Sequence, residues 1–270
     1  MLKPYSKEIN PNNLRKNILN MAKVGNSVHI ACAFSIVEIL SVLYQNFINI
    51  DPSNLKNTNR DLFCLSKGHG VMALYSCLYE IGILPEEYLN KYFQDGSKLK
   101  GLSDANIPGI EVSGGSLGHG ITVSVGLALA AKLKNKSNKI YCLIGDGEMN
   151  EGSVWEALLF SKHWNLDNLI LIVDANQYQA MGLCSEILDC EPFYNKFEAF
   201  GFETWECDGH SVLELNRVFN QALISKHEKP KVVIARTVKG KGVSFMENNN
   251  AWHYSRLNNE LFQKCLEELS

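Results

Sequence analysis

No Cys-x-x-Cys pair occurs among the eight cysteines of this 270-residue chain, at 32, 64, 77, 142, 184, 190, 207 and 265. Zinc sites and disulfide frameworks rest on such spacings, so both readings fare poorly. Several of these cysteines sit inside apolar runs, as Cys64 does in Leu62-Phe63-Cys64-Leu65, and read as reduced, buried thiols. There is no run of Lys and Arg either. With a formal net charge of -3 and a pI near 6.2, a nucleic-acid partner is not expected. Nor does any apolar stretch approach the roughly 18 residues of a membrane span. The longest candidate, Ile30 to Leu43, is interrupted by Ser35, Glu38 and Ser41, so no membrane partner is expected. Repeats, low-complexity tracts and linkers are missing as well, which leaves a single domain over residues 1–270 as the expectation. Met1 to Pro11 is polar and mixed in charge, unlike a signal peptide, and a soluble, cytoplasmic protein is expected.

What is present is ample apolar material, 46% of the residues, arranged in alternating strand-like and helix-like segments. Asp61 to Leu65 reads as a short strand, followed by a helix from about His69 to Ile81. Lys139 to Ile144 and Asn168 to Asp174 are continuous apolar runs, as parallel strands buried on both faces should be. Between them, Ser153 to Trp164 has helical spacing. Phe202 to Cys207 and Lys231 to Thr237 read as further strands, with a helix over about Ser211 to Ser225. Leu14 to Asn46 supplies helical material in front. The succession predicts a doubly wound α/β domain with a mainly parallel sheet and helices on both faces. A long irregular stretch, Phe93 to Ser116, is rich in Gly, Ser, Asp and Asn, and loops of that length are usually functional or disordered.

The strand ending at Ile144 runs into Gly145-Asp146-Gly147-Glu148-Met149-Asn150-Glu151-Gly152, and a helix follows. In open parallel sheets, ligands bind beyond the carboxyl ends of strands. Glycines there admit a phosphate close to the backbone, and a helix N-terminus favours an anion. Asp146 is itself an anion, a conflict removed if a divalent cation bridges it and a diphosphate. The next strand ends in Asp174-Ala175-Asn176, which places Asn176 one crossover, 30 residues, after Asp146. A carboxylate, an amide oxygen and a nearby carbonyl, with diphosphate oxygens and water, would complete an octahedral oxygen shell for Mg²⁺ or Ca²⁺. Either motif alone is an ordinary turn; the pair at consecutive strand ends favours a cofactor.

These words resemble the thiamine-diphosphate motif, and their surroundings resemble transketolases in particular. The matching segments are Ser66-Lys67-Gly68-His69-Gly70, the stretch from Pro108 to Gly120, residues 145 to 157, 171 to 177 and 208 to 210, and Arg236 to His253. They keep their order over nearly the whole chain. The resemblance implies that Asp146, Asn176 and the carbonyl of Tyr178 hold the metal, with Gly147 against the diphosphate. It implies that His69 and His253 contact the diphosphate and the reacting centre, and that Gly115 and Leu117 line the cofactor near its pyrimidine end.

Of the seven histidines, His163 and His227 read as helical or solvated, and His210 as a helix N-terminal residue. For His29, His69 and His253 the resemblance implies proton handling around substrate hydroxyls, to which an imidazole with a pKa near neutrality is suited. Glu151 and Glu156 read as helical carboxylates, whereas the resemblance places them at a dimer interface linking active sites, Glu151 also against the cofactor. Transketolases commonly carry a further donor-gripping histidine in the long loop; here Gly101 is followed by Leu102. His119 stands where a glutamine is expected and receives no role.

In the family, a glutamate that activates the cofactor's aminopyrimidine lies in a second, pyrimidine-binding domain. The chain ends at Ser270, one helix beyond the last strand, without room for another domain of about 150 residues. The resemblance therefore implies the N-terminal subunit of a split transketolase, with a partner chain carrying the pyrimidine domain in an α2β2 assembly. The activity implied is transfer of a two-carbon ketol unit from a ketose or ketose phosphate to an aldose. Alternatives are a catalytically silent subunit, and a related thiamine-dependent synthase or lyase using a 2-oxo acid or atypical ketose. NAD binding is disfavoured because Asn150 stands where the third glycine of its fingerprint belongs.

Overall fold

The structure, a computed structural model, describes residues 8–270. Residues 1–7 of the polar opening segment lie outside the described residues. In front of the sheet come α1 (Pro11–Val24), α2 (Ile30–Phe34) and α3 (Val37–Val42), the last continued by a π-type turn over Leu43–Phe47. Asn10 caps α1 by accepting from the Asn12 N–H at 2.8 Å, and Pro11 stands at the first helical position, where its missing N–H costs nothing. The helical material expected over residues 14–46 is thus broken, first at the turn ending in His29 and again at Ile36.

The sheet begins with β1 (Leu62–Leu65), followed by α4 (Val71–Glu80), a short α5 (Glu86–Asn90) and, after the irregular stretch, α6 (His119–Leu133). Then come β2 (Ile140–Gly145), α7 (Gly152–His163), β3 (Leu169–Ala175), the short α8 (Cys184–Ile187) and α9 (Phe193–Ala199). The chain closes with β4 (Glu203–Asp208), α10 (Val212–Ile224), β5 (Lys231–Arg236) and α11 (Asn259–Glu268). All pairings are parallel, in the order β1-β2-β3-β5-β4. This is the doubly wound α/β class expected.

Why the strand segments are apolar without alternation is visible in the burial. Tyr141, Leu143, Ile170, Ile172 and Val233 face a layer built by α1–α4, α10 and α11. Ile140, Cys142, Ile144, Leu171 and Ile234 face the layer of α6, α7 and α9. With both faces covered, every position of β2 and β3 is buried. Each fully buried Leu or Ile contributes roughly 1.5–3 kcal/mol, so the central strands carry a large share of the apolar stabilisation. The cysteines carry no disulfide, and six of the eight are buried.

The short helices α5, α8 and α9 have no counterpart among the elements expected from the sequence, and neither does the long α6. Its residues Ile121, Val123, Val125, Leu127 and Leu129 alternate with smaller or polar ones, so the local pattern has the period of a strand. The length of the segment, 15 residues, and its packing on α7 and β2 make it a helix.

Candidate functional site

The parallel register brings four chain turns to one edge of the sheet. Leu65 lies opposite Leu143, Gly145 opposite Asp174, and Ala175 opposite Arg236. Residues 66–70, 146–151, 176–179 and 237–239 therefore leave their strands side by side, at the carboxyl ends where open sheets bind ligands. They enclose a cavity of about 670 Å³.

One end of this cavity is suited to a cation and a diphosphate. The Asp146 carboxylate is buried and accepts from the N–H groups of Gly147, at 2.8 Å, and Gln177. Desolvation, together with the charge of Asp174, pushes its pKa up to about 7, as for a carboxylate that lacks a counter-charge. The Asn176 amide nitrogen donates to Asp174 Oδ2 at 2.9 Å, which turns its Oδ1 the other way. The Tyr178 backbone follows directly, its N–H donating to that Oδ1 at 3.0 Å. Gly147 has no room for a side chain, since a Cβ there would stand 2.7 Å from Gln179 Cβ. These groups fit an all-oxygen, magnesium-type ion and a phosphate held close to backbone. Among the described residues no cluster of three or more His, Cys, Asp or Glu side chains offers a metal site, so an ion here would depend on ligand oxygens for the rest of its shell.

Beneath the turns lies a buried ion pair that the sequence pattern does not reveal. Lys67 Nζ donates to Asp174 Oδ2 and to the Cys32 carbonyl at 3.1 Å. Asp174 also accepts from Ser35 Oγ at 2.7 Å and from Thr237 Oγ1. The pair ties β1, α2, β3 and the turn after β5 together beside the Asp146–Asn176 end of the cavity.

At the other end of the cavity stand three imidazoles. The ring centroids of His29, His69 and His253 are 5.2–5.6 Å apart. His29 caps α2 in a left-handed conformation (φ 67°), and its N–H donates to the His253 carbonyl at 3.1 Å, which fixes two of the three relative to each other. Lys239, buried, lies 3.0 Å from His253 Nδ1 and donates to Asn250 Oδ1 at 2.6 Å. With Nδ1 accepting from that ammonium, the ring proton of His253 belongs on Nε2. Burial, and then the Lys239 and Lys67 charges, lower the pKa of His29; burial and then Lys67 hold His69 well below its ordinary value. His253 is pushed down to about 3 by burial and then by Lys239. All three are neutral at physiological pH, able to donate and accept hydrogen bonds.

Gly115, Leu117 and Glu151 complete the walls. Gly115 adopts φ 145°, and a Cβ there would lie 2.8 Å from Leu102 Cδ1, so Leu102 packs over the glycine at the cavity wall. Every residue expected to touch the cofactor lines this one cavity. Glu156 does not join them: it is exposed on the outer face of α7, beside Thr122, Val125, Gly126 and Phe160. His119 is exposed at the start of α6 and His163 at the end of α7. His210 precedes the Ser211 cap of α10, its Nδ1 2.9 Å from Glu38 Oε2 and its Nε2 accepting from the Val238 N–H at 2.8 Å, a structural pin.

Residues 9–269 match the family "Transketolase, thiamine diphosphate binding domain". The chain belongs to the transketolase family. It is 44% identical over 242 residues to one subunit of the apulose-4-phosphate transketolase of Actinobacillus succinogenes, covering 89% of this chain and 87% of that one. To the 6-deoxy-6-sulfo-D-fructose transketolase subunit SqwG of a Clostridium species it is 39% identical over 242 residues, 89% and 88% of the two chains. Among solved structures, the Campylobacter jejuni transketolase superposes with a TM-score of 0.91 at 33% identity, over 97% of this chain. The chain spans only 42% of that transketolase's length. Its thiamine-diphosphate-binding fold is thereby established.

Three polar residues of this transketolase domain carry no signal in the sequence pattern. Lys67 sits inside the Ser-Lys-Gly-His word and Lys239 inside Val-Lys-Gly-Lys, where spacing does not separate a buried lysine from a solvated one. Glu148, third in its turn, is buried: it accepts from Ser66 Oγ and from the Gly118 N–H at 2.7 Å, joining the turn after β2 to the start of α6. Glu151 and Glu156, the two acids of this region that stand out in the sequence, are exposed.

The neutral imidazoles have a consequence for stability. Between pH 6.5 and about 3, the unfolded chain binds a proton at His253 that the native chain does not. The stabilisation is present above 6.5 and is lost as pH falls. In urea unfolding, His253→Gln should flatten the acid limb by about one proton. An unaltered slope would mean that His253 titrates normally in the native chain.

Proposed function

We propose that the chain is the diphosphate- and metal-binding subunit of a two-chain transketolase, which moves a two-carbon ketol unit from a ketose or ketose phosphate to an aldose. The observation that carries this reading is the placing of three neutral imidazoles at one end of the cavity whose other end holds Asp146, Gly147 and Asn176. Asp146 Oδ, Asn176 Oδ1 and the Tyr178 carbonyl would hold Mg²⁺, or Ca²⁺, against the diphosphate. When bound, thiamine diphosphate supplies the nucleophilic carbon that accepts the two-carbon unit. His253 presents an N–H from Nε2, while His29 and His69 are free to exchange protons with substrate hydroxyls. Burial keeps them uncharged, and so able to act as bases.

The donor reads as atypical. Leu102, an apolar side chain, forms the wall where a hydrogen-bonding group would grip a common ketose. Relatives named for apulose 4-phosphate and for a sulfonated deoxyfructose agree with a donor of unusual shape. A synthase or lyase acting on a 2-oxo acid is the second reading, favoured by the same residue. A catalytically silent role is disfavoured by the retained Asp146 and Asn176.

The partner supplies the pyrimidine domain. Met181, Ile187, Leu188 and Tyr254 stand exposed at the cavity mouth, an apolar rim suited to being covered. On the opposite layer, Leu133, Leu159, Phe160 and Trp164 are exposed on α6 and α7, beside Glu156. A second copy of this chain covering that face yields α2β2. The free thiols and the sugar chemistry suit the cytoplasm and carbohydrate metabolism. Native mass of the chain purified from its host should show two copies of each of the two chains. Recovery of a monomer with no second chain would contradict the split assembly.

A further inference from the structure

A buried carboxylate, Glu38 of α3, is used by neither end of the cavity and does not line it. Arg15 of α1 grips it with two parallel bonds, one terminal guanidinium nitrogen to Oε1 at 2.7 Å and the other to Oε2 at 2.9 Å. His210 Nδ1 reaches the same Oε2 at 2.9 Å. Burial alone would raise the pKa of Glu38, but the His210 bond and the Arg15 charge hold it below the ordinary carboxylate value. Each of these two side chains makes one further bond, and both bonds lead to the turn after β5. His210 Nε2 accepts from the Val238 N–H at 2.8 Å, so Nδ1 carries the ring proton and donates to Glu38. Arg15 Nε donates to the Lys241 carbonyl at 2.8 Å. The turn is thus anchored on both sides of Lys239, at Val238 and at Lys241, from a single carboxylate. Gly242 (φ 99°) permits the second anchor, since a Cβ there would stand 2.8 Å from Arg15 Nε.

Lys239 needs such holding. Its ammonium is buried, and its partners are neutral: Asn250 Oδ1 at 2.6 Å, His253 Nδ1 at 3.0 Å and the Gln179 carbonyl at 3.5 Å. Among the described residues no carboxylate stands within ion-pair reach of it. A buried ammonium without a counter-ion gains by swinging out to water, and a backbone fixed on both sides opposes that.

We propose that Glu38 is a positioning residue for ketol transfer. Through Arg15 and His210 it fixes the turn that carries Lys239, and Lys239 in turn holds His253 with its proton on Nε2. The effect on turnover rests on the ketol-transfer reading; the effect on the place of Lys239 does not. Glu38→Gln keeps the shape of the side chain and removes its charge. In either orientation the new amide nitrogen faces a guanidinium donor of Arg15, so the network cannot close.

The test uses the complex of this chain with its partner, supplied with thiamine diphosphate and magnesium. In a crystal structure of the Glu38→Gln complex, Lys239 Nζ should lie beyond hydrogen-bond reach of His253 Nδ1. Ketol transfer should lose about tenfold or more in kcat, with the donor KM changed far less. In a Lys239→Met background the same substitution should cost almost nothing further, because the group it positions is gone. A purely structural role would lower kcat by the same factor in both backgrounds. Arg15→Lys keeps a cation beside Glu38 but lacks the third nitrogen that reaches Lys241. It should act in the same direction with a smaller loss, and it carries the test if melting shows that Glu38→Gln does not fold. Lys239 still bonded to His253 in the variant, or equal losses of kcat in the two backgrounds, overturns the proposal. Absence of ketol transfer by the wild-type complex would instead overturn the ketol-transfer reading, and the place of Lys239 would still decide for or against Glu38.

Discussion

Replacing Asp146 with alanine is expected to lower the affinity of the assembled protein for thiamine diphosphate by about a hundredfold when magnesium is present. In the proposed site the ion would be held by one carboxylate, one amide oxygen and one carbonyl, of which only the carboxylate carries charge. Losing it removes a ligand and leaves the dianionic end of the cofactor without the bridging cation. Mutating even the groups around a metal's own ligands typically costs ten- to a hundredfold, so about a hundredfold is a floor for a charged ligand. The turn itself should survive, since Gly147 and Gln177 lose only an acceptor for N–H groups at the cavity edge. A titration followed by calorimetry, with and without magnesium, checks both parts. Wild type and variant should converge when the metal is chelated. Unchanged affinity in magnesium would remove Asp146 from the metal site.

The second large effect belongs to the ion pair beneath the site. Asp174→Ala should destabilise the chain by about 3–5 kcal/mol, because it leaves the Lys67 ammonium buried and uncompensated. Ser35, Thr237 and the Asn176 amide lose their acceptor at the same time. The double replacement Lys67→Met with Asp174→Leu should recover much of that loss, since well-packed apolar residues often match a buried ion pair. It would still impair cofactor binding, because Asn176 would lose the bond that orients its amide. Urea unfolding measures the first effect and the recovery. A loss below about 1 kcal/mol for Asp174→Ala would mean that water or another group reaches Lys67.

Much of this architecture is legible in the residues. The apolar runs over 139–144 and 168–174 announce strands buried on both faces, and the register shows a parallel sheet within a residue or two of those limits. Asp146 and Asn176 can be paired from spacing alone because one crossover separates two neighbouring strand ends. What the sequence hides has physical reasons. The alternating pattern of residues 121–129 mimics a strand, and only length and packing make α6 a helix. The insertion of β5 between β3 and β4 is a tertiary fact, since both segments read equally as strands. Lys67, Glu148 and Lys239 do not stand out because a charged residue inside a glycine-rich turn is ordinarily solvated. Their burial depends on other turns at a distance along the chain, 30 residues away for Glu148 and 107 for Lys67. Glu156, grouped with Glu151 in the sequence, lies on another face because five residues along a helix turn a side chain well away from its starting direction.

Whether ketol transfer needs two chains is the central claim, and one assay tests it. This chain, its co-purifying partner and their mixture would each be supplied with thiamine diphosphate, magnesium, ketose phosphate donors and an aldose. Transfer of a two-carbon unit is predicted in the mixture alone, with none above background for either chain singly. Transfer by this chain without a partner, or none in a mixture shown to bind thiamine diphosphate, would contradict the account.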